Sequence, residues 1–174
     1  MFKTITAVIT AGVMGASPAF AGNRISDHAE LWNTIKEAGI STHINPEMCD
    51  DETDGFYSST YKVFVVCQDN GVPGGDVVEW TDNDLDTIRH EAHHVVQDCI
   101  DGTLGDGLLS PFFGPEELKE FVKNSTLSDR KVNWIIKSYS DKTEMEVIKE
   151  IEAFAVAKDV SASTISSVVK KFCF

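Results

Sequence analysis

The sequence predicts one α+β domain, mainly helical, with a short β-hairpin or small sheet ahead of a helix that carries three histidines. Three observations predict it. The chain has 174 residues, enough to bury one sizeable core. Several stretches repeat apolar residues at helical spacing behind capping residues. A single Val-, Phe- and Tyr-rich run, "FYSSTYKVFVVC", has strand character and precedes "DTIRHEAHHVVQDC", Asp86 to Cys99.

The first 21 residues read as an export signal rather than as part of that domain. Lys3 supplies a positive start, "ITAVITAGVMGA" an apolar centre, and Ala19-Phe20-Ala21 a small-x-small cleavage pattern. The apolar run is too short, and too rich in Gly and Thr, for a membrane span. Cleavage after Ala21 leaves residues 22–174 as a single domain in a secreted or periplasmic setting. Four cysteines remain there, and an even number in an exported chain points to disulfides. The preferred pairs are Cys49–Cys67, closing a local unit, and Cys99–Cys173, tethering the C-terminal helix. With 28 Asp/Glu against 15 Lys/Arg the formal charge is −13, which disfavours nucleic acid and anionic lipid as partners.

The elements follow in order. "SDHAELWNTIKEAGI" reads as a helix capped by Ser26 and stopped by Gly39, with Leu31, Ile35 and Ala38 on one face. "THINPEMCDDETDG" reads as an extended segment and an acidic turn. Asp50, Glu52, Asp54 and Gly55 resemble the start of a calcium loop, but Tyr61 stands at the twelfth position, so the turn is read as solvated. After the strand-like run and a Gly/Pro loop, a helix spans about Asp82 to Cys99. Asp82, Asp84 and Asp86 near its start suit the helix dipole. "GPEELKEFV" starts the next helix with Pro115 at its first position. "SDRKVNWIIKSYS", "DKTEMEVIKEIEAFAVAKDV" and "ASTISSVVKKFC" supply three more.

His90-Glu91-Ala92-His93-His94 is an H-E-x-x-H sequence. On a helix, residues four apart stack, so His90 and His94 can reach one metal ion. Glu91 is offset by one residue, close enough to touch a metal-bound water without ligating. At about 100° per residue, Leu85, Ile88, Ala92, Val95, Val96 and Cys99 share an apolar face, and the two histidines lie together on another. His93 points away from both. A histidine-rich surface helix is the bland alternative.

At these residues the chain resembles the zincin metallopeptidases, whose active-site helix carries HExxH below a substrate-binding edge strand. The likeness covers about one helix and its local context. It implies Zn²⁺ held by His90 and His94, Glu91 as general base, "VFVVC" as the edge strand, and a peptide or protein substrate.

A catalytic zinc needs a third protein ligand. No Gly and third His follow His94, so the metzincin pattern fails, and "GTLGD" puts Asp106 one place too late for the aspartate type. Asp98 lies about 12 Å along the helix axis from His90, too far to converge. The glutamate (gluzincin-like) type remains, with Glu116, Glu117, Glu120, Glu144, Glu146, Glu150 and Glu152 as candidates. Glu152 falls on the apolar arc of its helix between Ile148 and Val156, where an acid is costly unless paired or metal-bound. Its "EAFA" context is similar to the surroundings of the ligand in some glutamate zincins. Glu152 is therefore the expected third ligand, with Glu116 or Glu117 next. Glu150 and Glu146 fall toward the polar side with Lys149.

The implied function is hydrolysis of a peptide bond by zinc-activated water, with Tyr139, His93 or Tyr61 as candidate oxyanion donors. The alternative is a non-catalytic zinc-binding or interaction protein on the same scaffold. A di-iron bundle needs the E-x-x-H motif twice, and only Glu91–His94 supplies it.

Overall fold

The structure is a computed structural model that describes residues 21–174. The export-signal reading falls almost wholly on residues 1–20, outside the described residues. Among the described residues the chain is α+β and mainly helical. The order is α1 (Ala21–Glu37), β1 (Ser41–Ile44), β2 (Gly55–Ser58), β3 (Val63–Val66), α2 (Asp82–Cys99), α3 (Pro115–Asn124), α4 (Asp129–Ser138), α5 (Glu144–Asp159) and α6 (Ala162–Cys173).

Local chemistry explains most boundaries. Thr81 and Asp84 cap α2 reciprocally: the Thr81 hydroxyl accepts from the Asp84 amide, and the Asp84 carboxylate accepts from the Thr81 amide. Thr143 and Glu146 do the same for α5. Ser128 caps α4 and Ser161 caps α6. Gly39, at φ +82°, ends α1 as expected. α1 begins at Ala21 rather than at Ser26, which lies inside the helix. Arg24 ties that first turn to the start of α2 through Asp82.

The hairpin expectation is half of the sheet. β2 and β3 pair antiparallel, with Tyr57 opposite Phe64. β1, read from sequence only as an extended segment, adds parallel to β3, with His43 opposite Val65. The order is β1-β3-β2. "VFVVC" is thus the central strand and not an edge, because both of its sides are taken. The edge that lies against α2 is β2, and Gly55 permits the approach. A Cβ there would meet the Val65 carbonyl at 2.6 Å and the Thr87 methyl at 2.8 Å.

The core joins Leu31 and Ile35 of α1, Phe64 and Val66 of β3, the apolar face of α2, and Val156, Ile165 and Val169 from α5 and α6. Both expected disulfides are present, Cys49–Cys67 and Cys99–Cys173. The second fastens the end of the histidine helix to the end of α6. Two disulfides fit a protein of an oxidising compartment, and among the described residues no helix is long and apolar enough to cross a membrane.

Candidate metal centre

α2 is buried along nearly its whole length, and its chief partners are α5 and α6. The contact with α5 is close because Ala153 and Ala157 present almost no side chain to it, and both are buried. Taking about 100° per residue, Glu150 lies about 60° to one side of Ala153 and Glu152 about 100° to the other. α5 therefore sends two carboxylates past α2, one on each flank, and they meet different histidines.

On one flank stand His90, His94 and Glu150. The two Nε2 atoms are 3.2 Å apart. Glu150 Oε2 lies 3.4 Å from His90 Nε2, and Glu150 Oε1 lies 3.5 Å from His94 Nε2. These three side chains form a metal-ligating group whose donor atoms all fall within 4.8 Å of one another. For zinc–ligand bonds of about 2.0–2.1 Å in a tetrahedron, neighbouring donor atoms stand about 3.3 Å apart. The two Nε2 atoms stand close to that separation, and each has a different Glu150 oxygen about as near, Oε2 for His90 and Oε1 for His94. Glu150 Oε2 is also buried without a hydrogen bond of its own, the condition a metal ion relieves. The donor set, two imidazoles and one carboxylate, suits a catalytic zinc with an open position.

The electrostatics agree with the geometry. Burial raises the Glu150 carboxyl, but the imidazoles of His90 and His94 outweigh it and hold the group well below the usual carboxylate range. Burial lowers the His94 imidazolium, yet Glu150 and Glu91 outweigh it and lift His94 to about 9.

On the other flank Glu152 is fully buried and fully occupied. Oε1 accepts from His93 Nε2 at 2.7 Å, Gln97 Nε2 at 2.8 Å and the Phe112 amide at 2.9 Å; Oε2 accepts from the Phe113 amide at 3.0 Å. Burial raises its carboxyl, but these donors, His93 first, bring it below the ordinary value. An acid with four donors has no lone pair in need of a metal. The structure therefore places the expected third ligand, Glu152, with His93 and not with His90 and His94; the residue that joins those two is Glu150. The other acids have other work or none nearby: Glu117 caps α3 through the Gly114 amide, Glu116 and Glu144 are exposed, Glu120 bonds Asn124, and Glu146 caps α5.

A link joins the two flanks. Gln97 spends its amide hydrogens on Glu152 Oε1 and the Lys149 carbonyl, so its Oε1 must accept from His94 Nδ1–H at 2.8 Å. Nε2 is then the nitrogen that faces His90 and Glu150, and it can offer its lone pair there once its proton is given up. Sequence reading passed over Gln97; its only signal is its place one turn beyond His93.

The chain belongs to the family described as Domain of unknown function (DUF8637). That family model matches residues 20–174. No curated protein and no solved structure matches the chain.

In this DUF8637 member His90, alone of the pair, lines a cleft of about 530 Å³, whose walls also include Glu91, Lys131, Trp134, Tyr139 and Phe154. Glu91 is buried, and its Oε1 lies 3.9 Å from His90 Nε2, next to the donor set but outside it. Tyr139, at the end of α4, is held above the ordinary phenol range by burial and by Glu150 and Glu91 beside it. Of the three candidate donors to an oxyanion, only Tyr139 lines this cleft. His93 is engaged by Glu152, and Tyr61 is 80 % exposed in the β2–β3 turn.

Proposed function

We propose that the chain is an exported zinc-dependent hydrolase of peptide bonds, with His90, His94 and Glu150 as the metal ligands and Glu91 as general base. The observation that carries this reading is the convergence of His90, His94 and Glu150, with donor atoms within 4.8 Å of one another, beside a cleft that His90 and Glu91 line. Bound zinc would supply Lewis acidity, acidifying a water and polarising the substrate carbonyl.

The chain's own residues would do the rest. Glu91 sits where it can take the proton of the attacking water and later deliver it to the leaving amine. Tyr139 keeps its proton across the physiological range, because burial and two carboxylates oppose its ionisation. It can therefore donate a hydrogen bond as negative charge develops on the carbonyl oxygen. Gln97 would fix the tautomer of His94, and Glu152 would fix Gln97. The role given by sequence to Glu152 passes to Glu150, and Glu152 becomes a support for the site.

The test compares wild type with Glu91→Gln and Glu150→Gln. Wild type should bind one zinc and cleave peptides from a broad library. Glu91→Gln should keep the zinc and lose hydrolysis by at least a thousandfold, and Glu150→Gln should lose the zinc. A zinc-loaded wild type that cleaves nothing would instead favour a non-catalytic zinc-binding protein on this scaffold.

A further inference from the structure

The cleft contains a cation whose place is fixed by something other than an acid. Lys131 Nζ lies 3.6 Å from the centre of the Trp134 ring and 4.5 Å from that of Phe154. Among the described residues no carboxylate lies within ion-pair distance of it, although acids outnumber bases 28 to 15 in the chain. Lys158, the other lysine of the cleft, is neutralised by Asp86. Burial and then Lys158 lower the Lys131 ammonium, and Asp54 opposes them without pairing with it.

The Phe154 ring connects this ammonium to the metal site. Its centre is 4.3 Å from that of the His90 ring, so Lys131 Nζ is at most about 9 Å from that imidazole. An extended chain advances about 3.3–3.6 Å per residue. One or two residues beyond a bond opened at His90 and Glu91 would bring a chain terminus to Lys131. A cation pinned on two rings has lost little freedom left to lose, so an incoming anion meets a prearranged partner.

We infer that Lys131 binds the C-terminal carboxylate of the substrate, making the enzyme an exopeptidase that removes one or two residues from the C-terminus. This rests on the hydrolase reading above. Water is the co-reactant: its oxygen bonds the acyl carbon, the C–N bond breaks, and the leaving amine takes the proton carried by Glu91. The short product departs with both its new amine and the carboxylate held by Lys131.

The experiment uses random hexapeptides prepared as C-terminal free acids and as C-terminal amides, each with free and acetylated N-termini. Turnover by the zinc-loaded chain is followed by mass spectrometry. Binding is measured separately by calorimetry on zinc-loaded Glu91→Gln. Free acids should be preferred at least tenfold in both assays, and the products should be single residues or dipeptides. Lys131→Met, which keeps contact with the rings, should erase that preference by raising KM, and Lys131→Arg should restore it. Equal handling of acids and amides, internal cleavage, or a preference set by the N-terminal amine overturns the inference while leaving the hydrolase reading intact. Absence of cleavage of every peptide, with no binding to Glu91→Gln, overturns both.

Discussion

Gln97 Nε2 donates to Glu152 Oε1 at 2.8 Å, and through that bond an acid that touches neither His90 nor His94 fixes the direction of His94. The two glutamates of α5 are consequently separable by experiment. Glu150→Gln should abolish zinc binding in a chain that still folds, since its side chain is only partly enclosed. Glu152→Gln sets an amide N–H against at least one of four N–H donors and should lower stability by about 3 kcal/mol. Its folded fraction should still carry zinc. Metal analysis and denaturant unfolding on both variants check the assignment; zinc loss in Glu152→Gln with retention in Glu150→Gln would reverse it.

Gln97→Leu tests the link itself. With no acceptor for Nδ1–H, His94 is free to adopt the wrong tautomer, and zinc affinity should fall about 10–100-fold. Competition against a chelator measures the change. An affinity equal to that of wild type would mean that packing alone orients His94.

The metal-free chain should carry a distinct pH dependence. His94 is raised from 6.5 to about 9 in the folded state, so its contribution is fully present below pH 6.5 and is lost as pH rises through about 9. Glu150 is depressed, so its contribution is present above 4.5 and is lost as pH falls toward its folded value. In chelator-treated protein the His94–Glu150 pair should thus contribute most between about pH 4.5 and 6.5, and its share of Tm should be lost on going to pH 9. Zinc replaces the proton and should flatten the alkaline limb, with affinity increasing as pH rises. A metal-free Tm that climbs between pH 6.5 and 9, corrected against His94→Leu, would contradict this account.

Tyr139→Phe removes a donor without changing the cleft's shape. If it acts on the developing oxyanion, kcat should drop about 10²–10³-fold with KM little altered. A change confined to KM would assign it to substrate binding.

The two disulfides close loops of different length, 18 residues of separation for Cys49–Cys67 and 74 for Cys99–Cys173. Loop-closure entropy gives about 3 and about 4 kcal/mol respectively. Paired Cys→Ala variants should rank in that order in urea, and only loss of Cys99–Cys173 should also weaken zinc binding, because it frees the end of α2.

How much of this could be read from the residues follows from which interactions are local. The HExxH spacing, the start of α2 near Thr81, Pro115 at the first position of α3 and both cysteine pairings depend on the residue types and intervals present, and they were legible. The acid that stands beside His90 and His94 was not. Periodicity correctly put Glu152 on a buried face, but a helical wheel cannot see the Phe112 and Phe113 amides that arrive from another segment to satisfy it. The same wheel put Glu150 on the polar side, where solvent was assumed and two imidazoles stand instead. β1 was obscure for a related reason: four residues, "STHI", become a strand only by pairing directly with β3, which follows β2 in the chain.

The paired acids of α5 also tie chemistry to cohesion. Rotating that helix to draw Glu150 away from His90 and His94 would tear four hydrogen bonds from Glu152 on the other flank, so the position of Glu150 is tied to the packing of the core. Heat or denaturant should accordingly inactivate the protein and unfold it in a single cooperative step, with no folded, metal-released intermediate on the way.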